Sequence, residues 1–371
     1  MNIKETKDIQ SLRYHLRHVK EVRIARKRLH SLEDILLLTI IAVICGCEGW
    51  EEIELFGKTR LAFLKEHLSL AKGVPSHDTL RRVFMRIDPA PFECAFREWA
   101  AQSHLFQGQD IISLDGKTVR GSQNRAKGKP PIHIVSAFAG SSRLVLGQVK
   151  VDEKSNEITA IPDLLDQLDV EGDIITIDAM GCQREIAQKI IDRKADYVLA
   201  LKGNQAGLER QVIQSFELEN AAEVAVSHDK GHGRIETRKC SVIRNLKWVE
   251  DMSLWPELKS IVKIESRREV CGKATEETRY FISSLDSCAA RHLEVVRAHW
   301  GIENTVHWTL DVVFREDHTR KRTENSAQNF ALVRKLALNI LKADKSVKTG
   351  LNSKRLKAGW DPEYLLKILK L

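Results

Sequence analysis

DIISLDGK at residues 110–117 and DIITIDAM at residues 173–180 decide how this chain is read. Each holds a run of β-type residues closed by an aspartate: Ile111-Ile112-Ser113-Leu114 before Asp115, and Ile174-Ile175-Thr176-Ile177 before Asp178. Short apolar runs bounded by turn residues are the pattern of buried strands. A carboxylate beside such a run costs several kcal/mol unless it is paired or metal-bound. Open α/β sheets bind ligands at the carboxyl ends of neighbouring strands. If these two strands are adjacent and parallel, the carboxylates converge. Like charges that close need a cation, and hard oxygen ligands select Mg²⁺ or Mn²⁺. The plainer alternative is a pair of strand-end turn residues, since Asp115-Gly116 is also an ordinary turn pair.

Around these stretches the periodicity places further elements. IHIVSAFAG (132–140) and RLVLGQVKV (143–151) predict a hairpin that turns at Gly140-Ser141-Ser142. Asn156 to Asp169 reads as a helix, with Asn156 and Glu157 as its start residues. Gln183 to Lys194 reads as another helix, and DYVLALKG (196–203) as a strand. The order β-β-β-α-β-α-β predicts an α/β core in which an antiparallel hairpin leads into parallel strands. Residues 210–290 are mixed, with strand-like IVKIES and TRYFISSL, and read as an insertion; helices return from Ala289.

Residues 30–105 read as helical. Ser31 caps a helix with Leu32, Ile35, Leu36, Leu38, Ile41 and Ile44 at helical spacing. Glu51 to His67 gives a second segment, and Ser76 opens a third with Leu80, Val83, Phe84 and Ile87 inward. That third helix turns Arg81, Arg82 and Arg86 outward, as a helix-turn-helix that enters a major groove would. A structural bundle with a solvated arginine face is the competing reading. The organisation predicted is a helical unit at 1–105, read as a DNA-binding domain, followed by an α/β unit at 106–371.

The 371 residues carry 59 Lys+Arg against 51 Asp+Glu, a net charge of +8. The excess is uneven. Residues 1–30 hold nine Lys/Arg against three acids, and residues 315–371 hold fourteen against six. Basic ends around an acidic centre suit a chain that grips phosphates at its edges and holds metal inside. The seven cysteines include no C-x-x-C pair, which argues against a zinc ribbon or a disulfide framework. The longest apolar run, Ile35 to Cys45, is far short of the ~20 residues of a membrane span. MNIKETKDIQ has no apolar signal region. The expectation is a soluble cytoplasmic protein with no membrane partner.

A third carboxylate is expected in RAHWGIENTVHWTLDVVFREDHTR (297–320), where His299, Glu303 and His307 recur at i, i+4 and i+8 on one helix face. That spread is too wide for one zinc ion.

Taken in order, SLDGKTVRGS, DEKSNEITAIPDLL, IITIDAMGCQREIA, DYVLALKGNQ, HGRIETR and HWGIENTVHWTLDVVFREDHTR resemble the H-repeat-associated proteins, DDE transposases of bacterial insertion sequences. LEDILLLTIIAVICGCEGWEEIELFGKTRLAFL with PSHDTLRRVF resembles the N-terminal domain associated with that family. The resemblance implies an RNase H-like catalytic core with a β-rich insertion and a triad of Asp115, Asp178 and Glu303. It implies two Mg²⁺ or Mn²⁺ ions about 3.5–4 Å apart and in-line displacement at phosphorus. The implied partner is double-stranded DNA, both element ends and target, gripped by a homodimer at the bacterial nucleoid. Lys117, Lys202, Arg234 and Arg238 lie in or near the family's motifs and are candidate phosphate contacts. Related groups carry Tyr-x2-Arg-x3-Glu-x6-Lys; here those slots hold Val296, His299, Glu303 and Leu310. The arginine's phosphate role then passes to His299, and the lysine's to Arg297 or Arg315. His228 and His232, in SHDKGHGRIE, read as part of a DNA-facing glycine-rich loop. Two rival functions share these residues: an inactive DNA-binding relic, and a metal-dependent nuclease that does not join strands.

Overall fold

A computed structural model describes residues 9–103, 109–152, 155–221, 223–231 and 233–369. The expected boundary at 105/106 and His232 lie outside the described residues.

Six helices come first: α1 (Ile9–Leu16), α2 (Leu32–Ile44), α3 (Trp50–Thr59), α4 (Leu61–Lys65), α5 (His77–Arg86) and α6 (Pro89–Ser103). Then follow β1 (Ile111–Val119), β2 (Ile132–Ala139), β3 (Leu144–Lys150), α7 (Glu157–Asp166), β4 (Ile174–Ile177), α8 (Arg184–Asp192) and β5 (Asp196–Leu201). This is the β-β-β-α-β-α-β order that the periodicity predicts. Next come α9 (Ala206–Leu218), β6 (Glu223–Gly231), β7 (Arg234–Ile243), β8 (Ser260–Val270) and β9 (Lys273–Ser283). The chain closes with α10 (Ala289–Ile302), α11 (Trp308–Val312), α12 (Ser326–Ala343), α13 (Leu351–Trp360) and α14 (Pro362–Leu369).

All nine strands form one sheet in the order β3-β2-β1-β4-β5-β9-β8-β7-β6. β1, β4 and β5 are parallel, and every other pairing is antiparallel. The strands of the 210–290 stretch therefore extend the central sheet, because β9 pairs with β5. β4 is buried at all four positions. Ile175 and Ile177 pack with α7 and α8 on one face, while Ile174 packs with Leu293 and Val296 of α10 on the other. Burial on both faces explains its unbroken apolar run.

α2 is apolar all round its axis and buried, as expected of a helix at the centre of a core. Its companions come from both ends of the chain: Leu332, Leu336 and Leu341 of α12 and Leu365 of α14 lie in the same core as Leu36, Ile40 and Phe84. The core thus crosses the 105/106 boundary. The second predicted helix is broken at Arg60, whose φ of −105° and ψ of 19° separate α3 from α4. All seven cysteines are free. No helix among the described residues is long and apolar enough to cross a membrane.

His292 of α10 is fully buried. Its Nδ1 lies 3.1 Å from the Cys288 carbonyl, and its Nε2 lies 3.3 and 3.2 Å from the hydroxyls of Ser260 and Ser283. Burial holds its pKa below the ordinary 6.5. The unfolded chain then takes the proton first. The stability this neutral imidazole contributes is present above pH 6.5 and is lost as pH falls, by up to about 1.4 kcal/mol per pH unit. Urea midpoints measured from pH 7 to 5 should fall, and His292→Gln should flatten that slope while lowering the midpoint at pH 7.

Candidate active site

β1 and β4 run parallel, with Leu114 opposite Ile177, so Asp115 and Asp178 stand level at the next position. β4 ends there. Asp178 caps the short turn Ala179–Gly181, its Oδ1 accepting from the backbone N–H of Met180 at 3.0 Å and of Gly181 at 3.4 Å. β1 does not end at Asp115. It continues to Val119, paired to β2 from Asp115 opposite Ser136 through Val119 opposite Ile132, so Asp115-Gly116 is strand and not turn.

Glu303 arrives from the opposite face of the sheet. α10 and α11 are joined by a π-helical turn, Glu303–His307, a widened turn often found at functional sites. His299 packs on β4, its Nδ1 3.0 Å from Thr176 Oγ1. One π turn on, His307 Nδ1 lies 3.4 Å from Asp115 Oδ2. The face predicted from i, i+4, i+8 does meet the strand ends. Asp178 and Glu303 share a cavity of about 190 Å³ with Lys202, Arg279, His299 and Trp300, floored by Val198 and Phe281. Asp115 stands beside it, level with Asp178.

The carboxylates crowd one another. Burial pushes Asp115 up to about 7, with the charge of Glu157 next in effect and Asp178 and Glu303 adding to it. Burial and then Glu157 raise Asp178 also, against Lys202. Burial raises Glu303, with Asp178 adding and Arg279 opposing. The histidines do not neutralise them. Burial, helped by Lys335 and Lys117, takes His307 down to about 3, and burial with Arg279 takes His299 down to about 4. An all-oxygen donor set with unrelieved like charges suits a hard divalent cation. Among the described residues no three His, Cys, Asp or Glu side chains already stand at holding distance.

Two candidate phosphate contacts are engaged within the protein. Lys117 is turned into an acidic knot, its Nζ 2.7 Å from Asp311, 3.1 Å from Glu316 and 3.6 Å from Asp317, and little of it reaches solvent. His299 is tied to Thr176 and burial with Arg279 holds its pKa down to about 4, which speaks against a charged phosphate contact there. Arg279 of β9 occupies the cavity instead, its guanidinium 4.7 Å from the Trp300 ring centroid. TRYFISSL carries the signal for it, since Arg279 and Phe281 are two apart and share a face of β9. Lys202 is exposed at the cavity mouth. Arg81, Arg82 and Arg86 lie exposed on α5. Arg234 is exposed on β7, whereas Arg238 is paired with Asp229 at 2.9 Å and Glu236 at 2.6 Å. The stretch around His228 is a long β6–β7 hairpin and not a loop, because residues 223–231 pair throughout with 234–242. Arg297 is held 2.8 Å from Asp229, and Arg315 is exposed.

Glu157 joins the site from outside the predicted set. Asn156 does cap α7, its Oδ1 accepting from Ile158 N–H at 3.0 Å. Glu157, one residue on, is more than a helix-start residue, because its charge bears on both aspartates.

Residues 106–340 match the family described as Transposase DDE domain, and residues 13–100 match the DDE_Tnp_1-associated family. The chain is 43% identical to the H repeat-associated protein YhhI of Escherichia coli strain K12, over 98% of each chain. It is 42% identical to YbfL of the same strain, again over 98% of each. It is also 50% identical to that strain's YbfQ, called an inactive transposase, over 20% of this chain and 90% of YbfQ. With its level pair of aspartates, its cavity glutamate and relatives that match it over 98% of each chain, this chain belongs to the H repeat-associated family of DDE transposases.

Proposed function

We propose that the chain is the transposase of an insertion sequence, cutting DNA at element ends and joining those ends to target DNA by in-line attack at phosphorus. The observation that carries this is the level placement of Asp115 and Asp178 on adjacent parallel strands, with Glu303 facing them from the helix above. The strand order β3-β2-β1-β4-β5, with only β1, β4 and β5 parallel, supports an RNase H-like core. Asp115, Asp178 and Glu303 are the residues that would hold two Mg²⁺ or Mn²⁺ ions. When bound, such ions activate the attacking oxygen and stabilise the leaving one. Lys202 offers positive charge at the cavity for the flanking phosphates, beside Arg279, whose Nε donates to Glu277 at 2.7 Å. The helical unit at 1–105 is assigned to DNA binding through Arg81, Arg82 and Arg86 on α5, with Arg234 on the hairpin. Joining two ends calls for a homodimer on DNA.

The test is a joining assay with purified protein, Mg²⁺ and end-labelled DNA carrying the element termini. Cleaved ends and strand-transfer products are expected. Cleavage without joining would make the protein a nuclease, and binding without cleavage would make it a relic. DNA affinity should also fall steeply with salt, by about 10³-fold or more between 50 and 200 mM if six or more phosphates are contacted. A filter-binding series that stayed flat would remove phosphate grip from this account.

A further inference from the structure

Glu157, the first residue of α7, is tied into the site by groups on two neighbouring strands. His133 of β2 sits opposite Thr118 of β1 in the ladder. Its Nε2 lies 2.6 Å from Glu157 Oε1, and its Nδ1 lies 2.9 Å from Thr118 Oγ1. A single neutral tautomer satisfies both: Nε2–H donates to the carboxylate, and the threonine hydroxyl donates to Nδ1. The carboxylate is thereby aimed, as outer-sphere partners aim a ligand. The aim is towards Asp115. A Cβ on Gly116 would stand 2.1 Å from Glu157 Oε1 and 2.3 Å from His133 Nε2. The residue after Asp115 therefore has to be glycine for the pair to close over β1. The Glu157 side chain is mostly buried, and among the described residues no Lys or Arg is paired with it. A carboxylate in that position is out of place as a plain helix-start residue, which would face water.

We propose that Glu157 is a fourth carboxylate of the catalytic centre, oriented by His133 and Thr118, and that it shares in holding the divalent cation with Asp115 and Asp178. This rests on the triad reading given above. It accounts for the glycine after Asp115 and for a helix start turned inward.

The test is calorimetric titration of the full-length protein with Mn²⁺, with the thermal midpoint of each variant as a folding control. The wild type should bind, and Asp178→Ala should lose most of that binding. Glu157→Gln keeps the shape and should weaken binding about tenfold or more. It should raise the Mg²⁺ concentration for half-maximal end cleavage by a similar factor. A purely structural Glu157 would move neither. Gly116→Ala keeps every carboxylate but displaces the Glu157–His133 pair, so it should weaken Mn²⁺ binding in the same direction, and it carries the test if Glu157→Gln does not fold. If Asp178→Ala loses Mn²⁺ while Glu157→Gln or Gly116→Ala binds like the wild type, Glu157 is no part of the centre and the triad stands. If Asp178→Ala binds like the wild type, the triad reading fails and this inference falls with it.

Discussion

Asp178→Ala should abolish end cleavage while the protein still folds and still binds DNA. The expected loss is about three orders of magnitude or more. Holding a cation that stabilises the charge of the transition state contributes several kcal/mol, and about 1.4 kcal/mol is a factor of ten. Two structural effects of the substitution work against each other. Asp178 caps the turn Ala179–Gly181, and losing a cap costs about 1 kcal/mol. Its removal also relieves Asp115 of a like charge. Net stability should therefore stay close to that of the wild type, and lost cleavage can be assigned to chemistry. Asp178→Asn, which keeps an oxygen to cap the turn, should be equally inactive. End cleavage by either variant at the wild-type rate would remove Asp178 from the triad.

Glu48→Ala should destabilise the protein by about 3–5 kcal/mol, the cost of leaving buried charge without its partner. Glu48 lies between α2 and α3. Its Oε2 accepts from Nε and Nη2 of Arg334 on α12, both at 3.0 Å, and its Oε1 accepts from Nη2 of Arg355 on α13 at 2.6 Å. Both arginines are buried, and Arg355 also donates to the Val43 carbonyl at 2.8 Å. Alanine would leave Arg355 with backbone carbonyls alone and Arg334 with Glu316 at 3.7 Å and the Thr319 hydroxyl. Against a typical stability of about 5–15 kcal/mol, that is a large share. Glu48→Gln, which keeps one acceptor, should fall between. Because this cluster joins helices from the two ends of the chain, the loss should appear as one cooperative transition. Urea unfolding followed by far-ultraviolet circular dichroism would show it, and a midpoint unmoved in Glu48→Ala would mean that the buried cluster contributes little.

The two predictions mark two kinds of legibility. Asp115 and Asp178 could be found because each interrupts a run of buried β residues, and their level placement follows once the strands are parallel neighbours. Glu303 could be found because a helix repeats its faces every three to four residues, and the π turn at Glu303–His307 did not carry His307 away from Asp115. Glu157 escaped that logic. Its local pattern is that of any helix start, and only the packing of α7 against β2 and β3 turns it inward. Arg279 escaped as well, because β9 is an ordinary alternating strand until its pairing with β5 brings it to the cavity.

The charge excess shows the same division more sharply. The basic ends looked like two arms for phosphate. At the carboxyl end, Lys321, Arg334, Lys335, Lys354 and Arg355 are instead buried. Burial takes Lys321 down to about 7 and Lys335 down to about 8. By itself the sequence determined the β-β-β-α-β-α-β order of residues 110–203 and the two aspartates that follow their apolar strand runs, since these follow from local periodicity and from the cost of a carboxylate beside apolar residues. Only the tertiary structure decided which charges remain at the surface and which are consumed in the core. Lys117 was drawn into an acidic knot and Arg334 onto Glu48, while Lys202 was left exposed at the cavity and Arg279 lines it with its Nε on Glu277 at 2.7 Å. A charge count is a sum over residues, whereas availability depends on partners hundreds of positions away, as between Glu48 and Arg355.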